Sequence, residues 1–209
     1  GLTDDHPEIG EIRRAGLAMV LVDSNTTGEV ASVDVDDEGG ARLAARHLVE
    51  LGHRSIAILA IDGPRDARDG EDSVVARRLR GYRSVLADAG IEVGPDAIAV
   101  GPSTIQGGRD AFRQVWSTGG RPTAVLAMSD AMAIGAIAEI HAVGLAVPDQ
   151  VNVVGFDDIE LAESTNPPLT TVHQPVRGKG ETAVRLLLTL IEGRDASPGH
   201  RRLDTRLVV

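Results

Sequence analysis

The side chains able to do chemistry are few and scattered in this chain. There is no cysteine, which removes a thiol nucleophile, a thiolate zinc site and an iron–sulfur cluster together. The six histidines, His6, His47, His53, His141, His173 and His200, include no pair at metal-ligand spacing. G-x-G-x-x-G, a Walker-type Gly-Lys-Ser/Thr loop, G-x-S-x-G and H-E-x-x-H are all missing, so phosphate cradling, serine hydrolysis and zinc proteolysis lack their usual carriers. Ser103, in Gly-Pro-Ser-Thr, has no base beside it and reads as a helix N-cap. What remains is a set of polar residues that each follow an apolar run: Asp23, Asp62, Ser129, Asp130, Asp157, Asp158 and Gln174. Carboxylates, hydroxyls and amides of this kind can hold a solute by hydrogen bonds without converting it. No metal, no cofactor and no catalytic residue is expected.

Composition bounds what can position these groups. The chain has 209 residues, 42% hydrophobic, 25% charged and 2% aromatic. Such a chain folds as one large domain or two small ones, around a core that needs no covalent staple. Lys+Arg 21 against Asp+Glu 31 gives a formal charge of -10, opposite to the basic face of a nucleic-acid-binding domain. No apolar run approaches the roughly 18 residues of a membrane helix. The absence of cysteine suits the cytoplasm. The N-terminus lacks both methionine and a leader pattern, and the chain reads as a fragment. Lys179 is the only lysine, a bias that reads as genome composition rather than function.

Apolar β-rich runs alternate with amphipathic stretches. Strands are expected at residues 17–22, 31–35, 55–61, 97–100, 123–128, 151–156, 169–173 and 202–209. Helices are expected from Asp36 or Asp37 to Leu51 and at residues 73–89, 106–117, 130–143 and 176–191. Residues 161–168 read as a loop or one short turn, and residues 65–72 as a polar loop. This alternation means an α/β fold, a parallel sheet with helices on both faces. The strands are apolar throughout, as strands covered on both sides must be. In such sheets ligands bind beyond the carboxyl ends of the strands, which makes the polar residues at strand exits the informative ones.

Four segments stand out together. The first runs Val35-Asp36-Asp37-Glu38-Gly39-Gly40-Ala41-Arg42-Leu43-Ala44 and on through His47-Leu48-Val49-Glu50-Leu51-Gly52-His53. The second is Arg78-Leu79-Arg80-Gly81-Tyr82, and the third joins Pro122-Thr123-Ala124-Val125 to Met128-Ser129-Asp130-Ala131-Met132-Ala133-Ile134-Gly135-Ala136. The fourth joins Val153-Val154-Gly155-Phe156-Asp157-Asp158 to Pro167-Pro168-Leu169-Thr170-Thr171-Val172-His173-Gln174-Pro175. In this order and at these separations they resemble the effector-binding domain of the lactose-repressor (LacI/GalR) family of bacterial transcription regulators. The resemblance implies a type I periplasmic-binding-protein-like fold: two doubly wound parallel-sheet lobes joined by crossing strands, with a small-molecule site between them. It also implies that the first lobe is incomplete, with residues 1–52 and 163–193 its remnant. Residues 53–162 and 194–209 would form the second lobe, and the DNA-binding headpiece would be absent.

By the same resemblance Arg78 stands where the family places an effector-binding arginine. Its fixed fork of donors suits sugar hydroxyls or a carboxylate; the alternative is an exposed helix arginine beside Arg77 and Arg80. Asp157 is either an acceptor for ligand hydroxyls or ring N–H groups or a hinge residue, a role that suits Asp158 better. Ser129 either contacts the ligand or caps the helix from Asp130. Gln174 either reaches the cleft or braces the hinge, and Asp62 is a further candidate. Pro102 stands near the place of a stacking aromatic in many relatives, and Gly39 near that of an extra acidic contact. The effector therefore stays open between a sugar and a nucleobase-like metabolite.

The helix at 130–143 is apolar around nearly its whole circumference, through Met132, Ala133, Ile134, Ala136, Ile137, Ala138, Ile140 and Val143. Such a helix is buried on all sides, either by other helices or by a second subunit. With the resemblance, a homodimer is expected, with Ile134 and Ile137 at its interface. The expected function is a ligand-responsive repressor, of which this chain is the effector-binding and dimerisation part. Operator DNA would be reached only through the headpiece. One rival is a periplasmic sugar-binding protein of a transport system. Another is an enzyme acting on a sugar or nucleotide, which lacks any motif to carry it.

Overall fold

The computed structural model describes residues 6–24, 30–62, 73–193 and 199–209. The polar loop expected at 65–72 lies outside them. Two parallel sheets are built. The smaller has the order β1 (Val20–Val22), β2 (Ala31–Val35), β8 (His200–Leu203). The larger has the order β4 (Ile98–Gly101), β3 (Ile56–Ile61), β5 (Ala124–Ala127), β6 (Asn152–Val154).

Successive side chains on a strand point to opposite faces, and the larger sheet uses both. Leu59, Val125 and Ala127 pack with Phe112, Met132 and Ile140 beneath α4 (Ile105–Ser117) and α5 (Asp130–Ala142). Ile58, Leu126 and Met128 pack with Leu48, Tyr82 and Leu86 beneath α2 (Asp37–Glu50) and α3 (Val74–Asp88). Each fully buried Leu or Ile contributes about 1.5–3 kcal/mol. A separate small cluster, Ile9, Leu21 and Val30, ties α1 (Pro7–Arg14) to the smaller sheet.

Helix starts are fixed by side chains that satisfy orphan backbone donors. Asp36, Ser73, Thr104 and Ser129 accept from the N–H groups of Gly39, Ala76, Gly107 and Met132 at 3.0, 3.1, 3.0 and 3.3 Å. The cap of α4 is thus Thr104, and the expected cap Ser103 is free to donate to the Ser129 hydroxyl at 2.8 Å. Glycine sets how closely the helices cross. A Cβ on Gly81 would overlap the Glu38 carbonyl of α2, and one on Gly135 the Ile105 carbonyl of α4.

The chain passes between the sheets three times. β2 leads through Asp36 into α2. β7 (Thr171–His173) lies beside β6 through the Val154–Thr170 and Asp157–His173 bridges, and leads to α7 (Val176–Ile191), which packs on β1 and β2. β8 leads to β9 (Arg206–Val208), which pairs antiparallel with β7. Two segments therefore lie on the other side from the one assigned by sequence. α2 shares its core with Ile56 and Ile58 of the larger sheet, so the changeover falls near Asp36 rather than residue 52. β8 joins the smaller sheet although residues 194–209 were expected in the second lobe. The expected final strand is two strands, and the turn at 161–168 begins with a one-turn helix, α6 (Glu160–Glu163).

α5 owes its apolar circumference to neighbours in the same chain. It lies between the larger sheet and α4, and Ile137 is only 6% exposed within the single chain. Ile137 therefore has little surface left to offer a second subunit. Ile134 stays half-buried, on a stripe with Ala131 and Ala138. The α4–α5 crossing leaves no room at Gly135. Gly135→Val is expected to cost about 1–3 kcal/mol or more by overpacking, read as a lower urea midpoint; an unchanged midpoint would contradict this packing.

Candidate functional site

The first turn of α3 places Arg77 and Arg78 inside the molecule, 3% and 4% exposed. Both reach Asp37, the first residue of α2, which is 1% exposed. Arg77 Nε and Nη2 donate to Asp37 Oδ2 at 3.3 and 3.0 Å, and Arg78 Nε donates to Oδ1 at 2.9 Å. Arg78 Nη1 also donates to the Met128 carbonyl at the exit of β5. Its Cζ lies 3.6 Å from the centroid of the Phe156 ring, which adds a cation–π contact. Charge-assisted bonds and a stacked face hold the guanidinium in one orientation. That orientation brings Nη1 to 3.8 Å from Asp157 Oδ1.

Asp157 leaves β6 with φ of 129°, and Asp158 follows at 62°. Both values are uncommon for residues other than glycine and cost on the order of 1–3 kcal/mol each. The turn is held nonetheless. Asp157 N–H donates to the Val172 carbonyl at 2.9 Å, and Asp158 Oδ2 lies 2.7 Å from His173 Nδ1. Asp130, fully buried, accepts from the Thr171 hydroxyl at 2.5 Å and from Ile159 N–H at 2.9 Å, pinning the turn and β7 to the start of α5. Burial pushes the Asp130 carboxyl above the usual carboxylate range, against the hydrogen bonds from Thr171 and the turn backbone. Asp157 Oδ1 accepts from Gln174 Nε2 at 2.6 Å. Burial pushes the Asp157 carboxyl up to about 6; the Arg78 charge opposes this, Asp130 reinforces it, and Gln174 and Lys179 oppose it.

Three of the expected site residues, Arg78, Asp157 and Gln174, are brought into one cluster. Ser129 follows Met128 at the same carboxyl edge but is 2% exposed and engaged in capping α5. Asp62 stands at the exposed end of β3, its N–H donating to the Gly101 carbonyl at 2.6 Å. Three contributors escape the sequence reading: Asp37, Phe156 and Lys179. The Asp36-Asp37 doublet held a usable signal, because a helix needs only one cap and the second carboxylate must go elsewhere. Among the described residues, no group of three His, Asp or Glu side chains could hold a metal ion. A surface cavity of about 590 Å³ lined by Arg83, Leu86, Gly90 and Val93 gathers none of the clustered groups.

The raised Asp157 value has a sign consequence for stability. Between about pH 4 and 6 the folded chain binds this proton more tightly than the unfolded chain, so its contribution falls as pH rises through that window. Asp157→Asn removes the desolvated charge. The variant is expected to melt above wild type at about pH 7.5 and to lose that advantage toward pH 4. A variant less stable than wild type at neutral pH would contradict the burial cause.

Residues 45–209 match the periplasmic binding protein-like domain family. Over 181 residues the chain is 39% identical to the HTH-type transcriptional regulator CelR of Thermobifida fusca, an alignment covering 87% of this chain and 51% of that protein. The chain thus spans about half the length of the curated relatives it matches. The structure of a transcriptional regulator CelR–cellobiose complex superposes with a TM-score of 0.89 at 35% identity, covering 100% of this chain and 63% of that one. A dimeric Lac repressor with a C-terminal deletion superposes with a TM-score of 0.86 at 34% identity, covering 100% of this chain and 73% of the other. With two parallel sheets joined by crossing strands, the chain belongs to the lactose-repressor family and has its periplasmic-binding-protein-like fold.

Proposed function

We propose that this chain is the effector-sensing part of a ligand-responsive transcriptional repressor. The observation that carries the reading is the Arg78–Asp157 pair, 3.8 Å apart at the exit of the larger sheet, a fork of donors facing an acceptor. Neighbouring hydroxyls of one sugar can bridge such a pair. The cluster also holds Asp130 and Asp158, and Asp37 already engages Arg78. An uncharged hydroxyl donor therefore suits the site better than a phosphorylated or otherwise anionic one. The cellobiose in the CelR complex supports a sugar. The CelR resemblance favours a regulator over a transport protein. In this reading the sugar is bound and released unchanged, operator DNA is bound by a headpiece outside these 209 residues, and the protein works in the cytoplasm.

The signal is a population shift. A sugar that contacts both sheets favours the arrangement in which those contacts are made, and only that difference in affinity moves the equilibrium. A melting screen of neutral mono- and disaccharides, cellobiose included, tests the site. A binder present at about a hundred times its dissociation constant stabilises the fold by roughly 2.7 kcal/mol. Arg78→Ala and Asp157→Ala are each expected to abolish that shift. A binder whose affinity is the same in both variants, or one that is chemically converted, would overturn the reading.

The same proposal includes a homodimer, supported by the dimeric Lac repressor and by the half-exposed stripe at Ile134. Light scattering is expected to give a dimer mass for the wild type and a monomer mass for Ile134→Glu. A variant that stays dimeric would place the interface elsewhere.

A further inference from the structure

The only lysine in the chain is buried, 6% exposed, on the inner face of α7. Its Nζ donates to Asp23 Oδ2 at 2.5 Å and to Gln174 Oε1 at 3.1 Å. Gln174 in turn donates from Nε2 to Asp157 Oδ1 at 2.6 Å. A continuous chain of hydrogen bonds thus runs from the exit of β6 in the larger sheet to the exit of β1 in the smaller one. Its polarity is fixed by chemistry. An ammonium only donates, so it must face the amide oxygen, and the amide NH₂ must then face Asp157. The Asp157 carboxylate selects the same amide orientation, and the ammonium reinforces it; without the ammonium, the flipped amide becomes compatible once Asp157 is protonated and can donate to the amide oxygen.

We propose that Lys179 is a positioning residue for the effector site: through the Gln174 amide it holds Asp157 Oδ1 in place beside Arg78, and it ties that carboxylate to Asp23 on the smaller sheet. The role rests on the effector-site reading above. It explains a burial that is otherwise costly, since a buried lysine needs a paired carboxylate and further acceptors to remain charged. It also makes Asp157 answer to both sheets. Movement of α7 or of β1 changes the amide partner of that carboxylate.

The groups facing Asp157 are Arg78 and the buried Tyr82 from α3, with Asp37 behind Arg78, Asp130 from α5, Gln174 after β7 and Lys179 from α7. Asp158, next in the chain, is engaged by His173. Removing the ammonium and freeing the amide both favour the neutral acid, so Asp157 reports on Lys179 without any ligand. The test is a carbon-13 NMR titration of aspartate carboxyls in the 209-residue chain. Lys179→Met is expected to raise the Asp157 midpoint by about one unit, and Lys179→Arg to restore it. Gln174→Met, which cuts the relay but keeps the charge, is expected to raise it too, and serves if Lys179→Met does not fold. A midpoint unchanged in folded Lys179→Met, or in Gln174→Met, would overturn the positioning role. If the midpoint follows Lys179 while sugar binding ignores Asp157, the positioning role stands and the effector reading falls.

Discussion

A single buried carboxylate, Asp37, stands between two buried guanidiniums, and both fold and site depend on it. Two cations nine-tenths or more removed from water would be ruinous without a counter-charge, and a counter-charge without both partners would be nearly as bad. The pairing therefore fixes α2 against α3 at the same point where Gly81 lets the two helices touch. It also fixes Arg78 at its Nε, leaving the outer guanidinium to meet the Met128 carbonyl, the Phe156 ring and Asp157. The donor fork of the proposed site is an extension of the core, held at Asp37, Met128 and Phe156 by contacts within the chain. Preorganisation of this kind lowers the entropy lost on binding.

Much of this was legible in the residues. The continuous apolar runs marked the parallel strands because both faces of the larger sheet are covered. Arg78, Asp157 and Gln174 were singled out by resemblance and come together in space. What was not legible is what local pattern cannot carry. The change of sheet at Asp36 leaves no mark, since an N-cap looks the same whichever core the helix joins. β8, His-Arg-Arg-Leu, is mostly exposed and has no apolar signature; its side chains meet β2 through polar pairs far apart in sequence, His200 with Ser32 at 2.9 Å and Arg202 with Asp34 at 3.5 Å, which no local pattern announces. The apolar circumference of α5 could mean a helix neighbour or a second subunit, and α4 proves to be the neighbour. The lone lysine was hidden by composition, because an isolated residue carries no periodicity.

The site lies where the two sheets communicate. Asp157 belongs to the exit of β6, Gln174 to the end of β7 and Lys179 to the helix packed on β1 and β2. Strained backbone at Asp157 and Asp158 is held by contacts to β7 and the residue that follows it, so the geometry of the Asp157 carboxylate depends on the crossing segment. Under the proposed function, a binding site built this way would read the relative placement of the two sheets. The coupling available to such devices is typically about 1–3 kcal/mol, comparable to one or two of the hydrogen bonds in the relay.

The most direct measurement is a crystal structure of the chain with a sugar that raises its melting temperature. The expected result is a sugar with hydroxyl oxygens within about 3.2 Å of both the Arg78 guanidinium and the Asp157 carboxylate. A sugar seated elsewhere, for example in the cavity beside Arg83 and Val93, with Arg78 and Asp157 untouched, would contradict it.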